Sequence, residues 1–188
     1  DLRPLLSDTP ELTVQPVQKR YSDYFTRADT DQIKSCELDV LVRLGFRILR
    51  GEILRCARLG VWSYHHGDND YNRGGPAGFW EVLQGWQETG SILQVLTEDL
   101  DGGEVLYKSQ AQTDLWSLSR NRANLYWKSL SFLPRKIAEL HNLGEPEFTR
   151  ALKESNQHPS FYTGKLYKVP RGLELSRLFL AHLCKYAV

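Results

Sequence analysis

The 188-residue sequence has no methionine, no excess of charge of either sign, no closely spaced cysteines and no long apolar run. Each absence excludes something. Lysine plus arginine total 24 against 23 for aspartate plus glutamate, so there is no general electrostatic footprint for nucleic acid. Cys36, Cys56 and Cys184 lie far apart and lack the Cys-x-x-Cys spacing of a metal site. An odd count in a chain with no secretion signal points to reduced thiols in the cytoplasm, read as small buried hydrophobes. No segment approaches the ~20 apolar residues that span a bilayer, which argues against a membrane partner. The chain opens on Asp1, and without a methionine it is expected to be a processed or trimmed product. At this length one domain can bury a core without disulfide or metal staples.

What is present alternates between apolar runs and helical periods. Residues 1–11 read as an irregular lead-in, Leu12 to Val17 as a short strand, and Asp29 to Cys36 as a short helix capped by Asp29 or Thr30. Leu38 to Leu44 has the β-branched, nearly continuous apolar character of a buried parallel strand, and Arg50 to Leu59 reads as a helix ended by Gly60. Val61, Trp62 and Tyr64 predict a short buried strand, followed by a Gly-rich loop and an apolar helix from about Ala77 to Trp86. Ser91 to Leu96 and Glu104 to Gln110 predict two strands joined by Asp101-Gly102-Gly103, a connection tight enough to make them antiparallel neighbours. Ser117 to Leu140 predicts a long helix kinked or split at Pro134, and Glu145 to Ser155 a polar one. After an irregular run from Asn156 to Gly172, Leu173 to Tyr186 predicts a final helix with one apolar face in need of a partner. Strand–helix alternation in the first half points to an α/β fold with a mostly parallel sheet covered on both faces.

Polar residues concentrate between Gly60 and Gly103. Ligands in open α/β sheets bind beyond the carboxyl ends of strands, which is where His65 falls. His65 can exchange a proton near neutral pH, and Asp101 can orient it or hold its imidazolium. His65, His66, Asp68 and Asp70 also carry metal-ligand chemistry. Adjacent strand residues point in opposite directions, however, so His65 and His66 do not readily share an ion, and no metal is expected. Asp68 and Asp70 are expected as solvated loop charges or as contacts to a cationic amine. Arg73-Gly74-Gly75-Pro76 reads either as a structural turn or as an anion-binding loop, and Trp116, Tyr126 and Trp127 as core or packing surface.

In this stretch Gly60, His65, Arg73, Gly74, Leu100, Asp101 and Gly103 fall in register with the pattern of the 10-formyltetrahydrofolate-dependent formyltransferases. That pattern is Gly-x-x-Asn-x-His, Arg-Gly-x-x-Pro, a helix and a strand, then Leu-Asp-x-Gly. The resemblance covers roughly Leu38 to Val105. It implies a Rossmann-like, three-layer domain over residues 1–143 with a mostly parallel sheet, and a helical C-terminal extension over residues 144–188. It also implies formyl transfer from 10-formyltetrahydrofolate to an amine of a small substrate such as an amino sugar, an amino acid or a nucleotide precursor. His65, Asp101 and Ser63 would be catalytic, with His65 stabilising charge on the formyl oxygen and Asp101 managing protons. Gly45, Phe46, Arg47, Ile48 and Leu49 would line one wall of the folate pocket, and Thr97, Glu98, Asp99 and Leu100 the other. Asn69, Arg73 and Gly74 would meet the acceptor. Two departures stand out: Ser63 occupies the position of the family's catalytic Asn, and the family's first strand–loop–helix unit is not found. A serine hydroxyl reaches less far than an amide, so either Ser63 donates through a water, or Asn69 or Asn72 reaches in, or the chemistry is impaired. The rival readings are hydrolysis of the formyl donor, and a binding or assembly module that docks through the C-terminal helix onto a partner domain or a second copy.

Overall fold

The computed structural model describes residues 7–157, 162 and 166–185. Pro159, Phe161, Gly164, Lys165 and the predicted helix end at Tyr186 lie outside the described residues. The chain divides into two compact units, Asp1–Val61 and Trp62–Val188.

In the first unit, β1 (Val17–Gln18) pairs antiparallel with β2 (Ser22–Tyr24), which pairs parallel with β4 (Ile48–Arg50). The helix α1 (Arg27–Lys34) begins two residues before the predicted start. Its cap is Thr26, and Asp29 is the reciprocal member of a capping box rather than the cap itself. The predicted strand over Leu38 to Leu44 shrinks to β3 (Leu41–Val42), and Leu44 is exposed. Its flanks are used otherwise: the carbonyls of Leu38 and Asp39 accept from Arg58 and Leu59, and Arg43 folds back onto the carbonyls of Phe46 and Arg47. The predicted helix over Arg50 to Leu59 is only a 3₁₀ turn, Gly51–Arg55, whose Ile53 and Leu54 join Ile33, Leu49 and Cys56 in the buried core.

The second unit is built on three strands, β5 (Val61–His65), β7 (Glu88–Val95) and β8 (Val105–Gln112). Both pairings, β5 with β7 and β7 with β8, are antiparallel. The β7–β8 hairpin is as predicted. Parallel pairs occur at β2–β4 and between the two-residue strands β6 (Arg73–Gly74) and β9 (Leu166–Tyr167), so the strands are mixed in direction. The α/β class stands. Trp62 is fully buried and stacks on Phe148, and Tyr64 meets Phe132, so one face of β5 is covered by aromatic residues of the helices.

The predicted long helix is two, α3 (Leu118–Ser129) and α4 (Phe132–Leu143). The break falls at Leu130-Ser131, and Pro134 sits in the first turn of α4, where its missing N–H leaves no bond unmade. Helix α5 (Glu145–Ser155) matches its predicted span. Its C-cap Asn156 accepts from the Val105 N–H and donates to the Val105 carbonyl, tying the helix end to the start of β8. The remaining helices are α2 (Phe79–Gln84) and α6 (Leu173–Lys185), and on α6 Leu173, Leu175, Phe179 and Leu180 are exposed. Trp116 and Trp127, expected in packing, are also exposed, Trp127 to 74%. No helix among the described residues is long and apolar enough to cross a membrane.

Candidate active site

Strand β5 sorts its side chains by the two-residue period of a strand. Trp62, Tyr64 and His66 point to the aromatic side, where His66 stacks on Tyr64, meets the edge of Tyr126 and contacts Ser129 Oγ at 3.1 Å. Burial, and then the neighbouring His65, push the His66 imidazole down to about 4, so it is a neutral packing group at ordinary pH. Ser63 and His65 point to the other side.

There His65 Nδ1 lies 3.3 Å from Asp101 Oδ2, and His65 Nε2 lies 2.7 Å from the carbonyl of Asn72. A carbonyl only accepts, so Nε2 carries a proton. Nδ1 then faces a carboxylate, and the arrangement is satisfied when the imidazole–carboxylate pair holds a further proton, as an imidazolium or on Asp101. Asp101 is fixed from both sides: Oδ2 accepts from the Gly74 N–H at 2.9 Å and Oδ1 from Gln94 Nε2 at 3.2 Å. Its backbone φ of +50° is rare for a residue with a side chain, and Asp tolerates it better than most. The turn that presents it depends on Gly103, where an added Cβ would fall 1.7 Å from the Val95 carbonyl oxygen.

The predicted acceptor-side residues are engaged internally. Gly74 gives its N–H to Asp101 and runs against Tyr167, leaving no room for a Cβ. Arg73 donates to the Asn69 carbonyl at 2.7 Å, and its guanidinium lies 3.8 Å above the Tyr162 ring. Asn69 is buried. Asp68 and Asp70 are not solvated loop charges. Asp68 is buried, accepts from Gln110 and, with Asp70, grips Lys108, so the cation they hold is the protein's own. Desolvation opposes charge on Lys108, but the two carboxylates outweigh it and raise its pKa. No group of three or more His, Cys, Asp or Glu among the described residues is arranged for a metal ion.

Asn72 does not reach Ser63; its amide donates to Glu81 Oε1 at 2.8 Å. Ser63 is buried, and its hydroxyl lies 3.3 Å from the Tyr64 carbonyl. Glu81 is 1% exposed, and burial raises its carboxyl above the usual range against the opposing pull of Asn72 and His65. The sequence reading did not single out Gln94, Glu81 or the Asn72 carbonyl. The available signal was a lone polar side chain in an apolar strand and another in an apolar helix.

The two loops read as folate walls belong to different units. Thr97, Glu98 and Asp99 form an exposed turn that leads through Leu100 to Asp101. In the first unit Gly45 has φ +81° and opens onto free space. Phe46 packs on Phe25, and the Arg47 N–H and guanidinium both bind Asp23. Burial would raise the Asp23 carboxyl, but those Arg47 bonds hold it below the ordinary value. Ile48 and Leu49 belong to β4, with Leu49 in the core.

No family model matches the chain. A methionyl-tRNA formyltransferase from Clostridioides difficile is 32% identical over 101 residues, which are 53% of this chain and 31% of that protein. The chain therefore spans about a third of the length of the curated relative it matches. Among solved structures, a sugar N-formyltransferase from a Shewanella species superposes with a TM-score of 0.54 at 16% identity, covering 84% of this chain and 65% of that one. The formyltransferase PseJ from Anoxybacillus kamchatkensis, in complex with UDP-4,6-dideoxy-4-formamido-L-AltNAc and tetrahydrofolate, gives 0.52 at 17% identity, over 89% and 79% of the two chains. Over about half its length this chain is similar in sequence to methionyl-tRNA formyltransferases, and more widely it shares the fold of solved formyltransferases.

Proposed function

We propose that the chain moves a formyl group from 10-formyltetrahydrofolate to an amine of a small substrate, with residues 1–143 as the catalytic domain and 144–188 as an extension. The observation that carries this reading is the 3.3 Å pairing of His65 with Asp101 at the end of β5, with Asp101 held by Gly74 and Gln94. Both side chains keep some exposure, 11% for His65 and 14% for Asp101, so the pair is reachable.

The folate supplies the formyl group. By the resemblance, Thr97 to Leu100 would take part in binding it, and so would the segment Gly45 to Leu49. The carbonyls of Phe46 and Arg47 each accept from Arg43 and keep a second lone pair for donors such as those on a pterin edge. When protonated, His65 would place a positive charge beside the formyl oxygen as negative charge develops there, its two ring nitrogens being held by the Asn72 carbonyl and Asp101. Asp101 keeps that ring oriented, and can accept the proton that the attacking amine loses. Ser63, with its hydroxyl turned to the Tyr64 carbonyl, adds little to the oxyanion. That observation favours the binding-module reading as the rival.

The test is incubation of the protein with 10-formyltetrahydrofolate and a panel of amino sugars, amino acids and aminated nucleotides, with products read by mass spectrometry. Amine-dependent release of tetrahydrofolate and a formamide is expected, lost in His65→Ala. Release without amine dependence would make water the acceptor. No release under any condition, with folate binding retained in calorimetry, would establish the module instead.

A further inference from the structure

Gln94 is an oddity of composition. It is the one amide in the strand Ser91-Ile92-Leu93-Gln94-Val95, and it is 1% exposed. Its Oε1 is buried without a hydrogen-bond partner. A buried amide with one end unpaired is less favourable than an apolar side chain of the same shape, so core packing alone does not account for it. Its place in the sheet does. In the antiparallel β5–β7 register Gln94 stands directly opposite Ser63, and directly opposed residues share a face with Cβ atoms about 5 Å apart. Ser63 is also 1% exposed, so the two opposed side chains share the interior on that face. The Gln94 amide reaches Asp101 Oδ1 at 3.2 Å, while the Gly74 N–H holds Oδ2. Asp101 sits on a turn of unusual backbone conformation, so these two donors are what aim its carboxylate at His65 Nδ1.

We propose that Gln94 supplies, from across the strand, the amide function that Ser63 does not, as the positioning residue that locks Asp101 onto His65. The inference rests on the formyl-transfer reading for its kinetic consequence, but its structural content does not depend on it. Gln94 is buried behind Asp101 and need not touch substrate. Its contribution is to hold the acid–base pair in one geometry, so its loss is felt in turnover and not in substrate affinity. The pairing is also reciprocal: an amide at position 63 would occupy the volume Gln94 uses, so the two positions are coupled.

The experiment uses Gln94→Met, nearly isosteric and apolar, and Gln94→Glu, which replaces the donor facing Asp101 with an acceptor. Three quantities are read on the whole protein: melting temperature, the ¹⁵N and ring-proton spectrum of His65 without ligand, and kcat and KM with 10-formyltetrahydrofolate. Gln94→Met is expected to melt no lower than the parent and to lose the ordered His65 Nδ1 proton signal. It should lower kcat by about 100-fold at unchanged KM, the low end of what a positioned proton carrier contributes. Gln94→Glu should disturb the same ring signal, and the exchange Ser63→Asn with Gln94→Ser, which swaps the two volumes, should recover kcat. A purely structural Gln94 gives the opposite pattern, a lower melting temperature with the His65 spectrum and kcat unchanged, and that result overturns the proposal. If the parent turns over no formyl donor, formyl transfer fails as a function, while the His65 ring spectrum still decides for or against Gln94.

Discussion

Acid should weaken this fold through His66, and the size of the effect follows from its surroundings. Ser129 Oγ donates to the Tyr126 carbonyl, so toward His66 it can only accept, and His66 Nε2 must be the protonated nitrogen. A second proton would have to go on Nδ1, in a ring set against Tyr64 and Tyr126. Folding therefore depresses the ring from 6.5 to about 4. The sign is fixed by linkage: between those values the unfolded chain binds a proton that the folded one does not, so stability falls as pH falls. Each pH unit inside the window costs about 1.4 kcal/mol, which gives about 2 kcal/mol between pH 7 and pH 5. Solvent reaching the half-buried ring trims this to roughly 1–2 kcal/mol. His66→Phe keeps the aromatic packing and removes the titration. Urea unfolding followed by tryptophan fluorescence at pH 7 and pH 5 measures both proteins. Carboxylates common to both cancel in the comparison, so the variant should lose less stability than the parent by that amount. Equal losses in the two, within about 0.5 kcal/mol, would refute the argument.

Three other outcomes are expected. Gly103→Ala should fail to give a folded protein, because a Cβ 1.7 Å from the Val95 carbonyl oxygen has no place to go, and a cooperative melt near the parent's temperature would contradict this. Lys108→Met should cost about 3–5 kcal/mol by leaving buried Asp68 without its counter-charge, and adding Asp68→Asn should restore part of it in chemical denaturation. Ser63→Asn in the parent should lose ~1–3 kcal/mol to overpacking against Gln94, with a drop in melting temperature larger than that of the same change in a Gln94→Ser background, where the volume is freed.

Local pattern alone determined a good part of this protein. The two-residue period of β5 separates Ser63 and His65 from Trp62, Tyr64 and His66, because alternation is a property of the extended backbone. The Asp-Gly-Gly connection specifies the β7–β8 hairpin, and the apolar period marks α6, since turn chemistry and helical period are encoded within a few residues. The resemblance of the ordered motifs between Gly60 and Gly103 to the formyltransferase pattern implies that His65 and Asp101 act together, and they lie 3.3 Å apart. Tertiary structure decided what depends on register and on competition for donors. Whether β5 runs parallel or antiparallel to β7 is set by packing between strands some thirty residues apart, and only that direction puts Gln94 opposite Ser63. Asp68 and Lys108 are forty residues apart in sequence, and the buried grip between them exists because β8 places Lys108 beneath the loop that follows β5. The apolar run at Leu38 to Leu44 misled for a related reason. Apolar character specifies burial or strand only when a neighbouring strand is free to pair, and here the flanking backbone is taken by Arg43, Arg58 and Leu59. A chemical pattern names the groups a site needs; which of them have a donor left to give is settled by the fold.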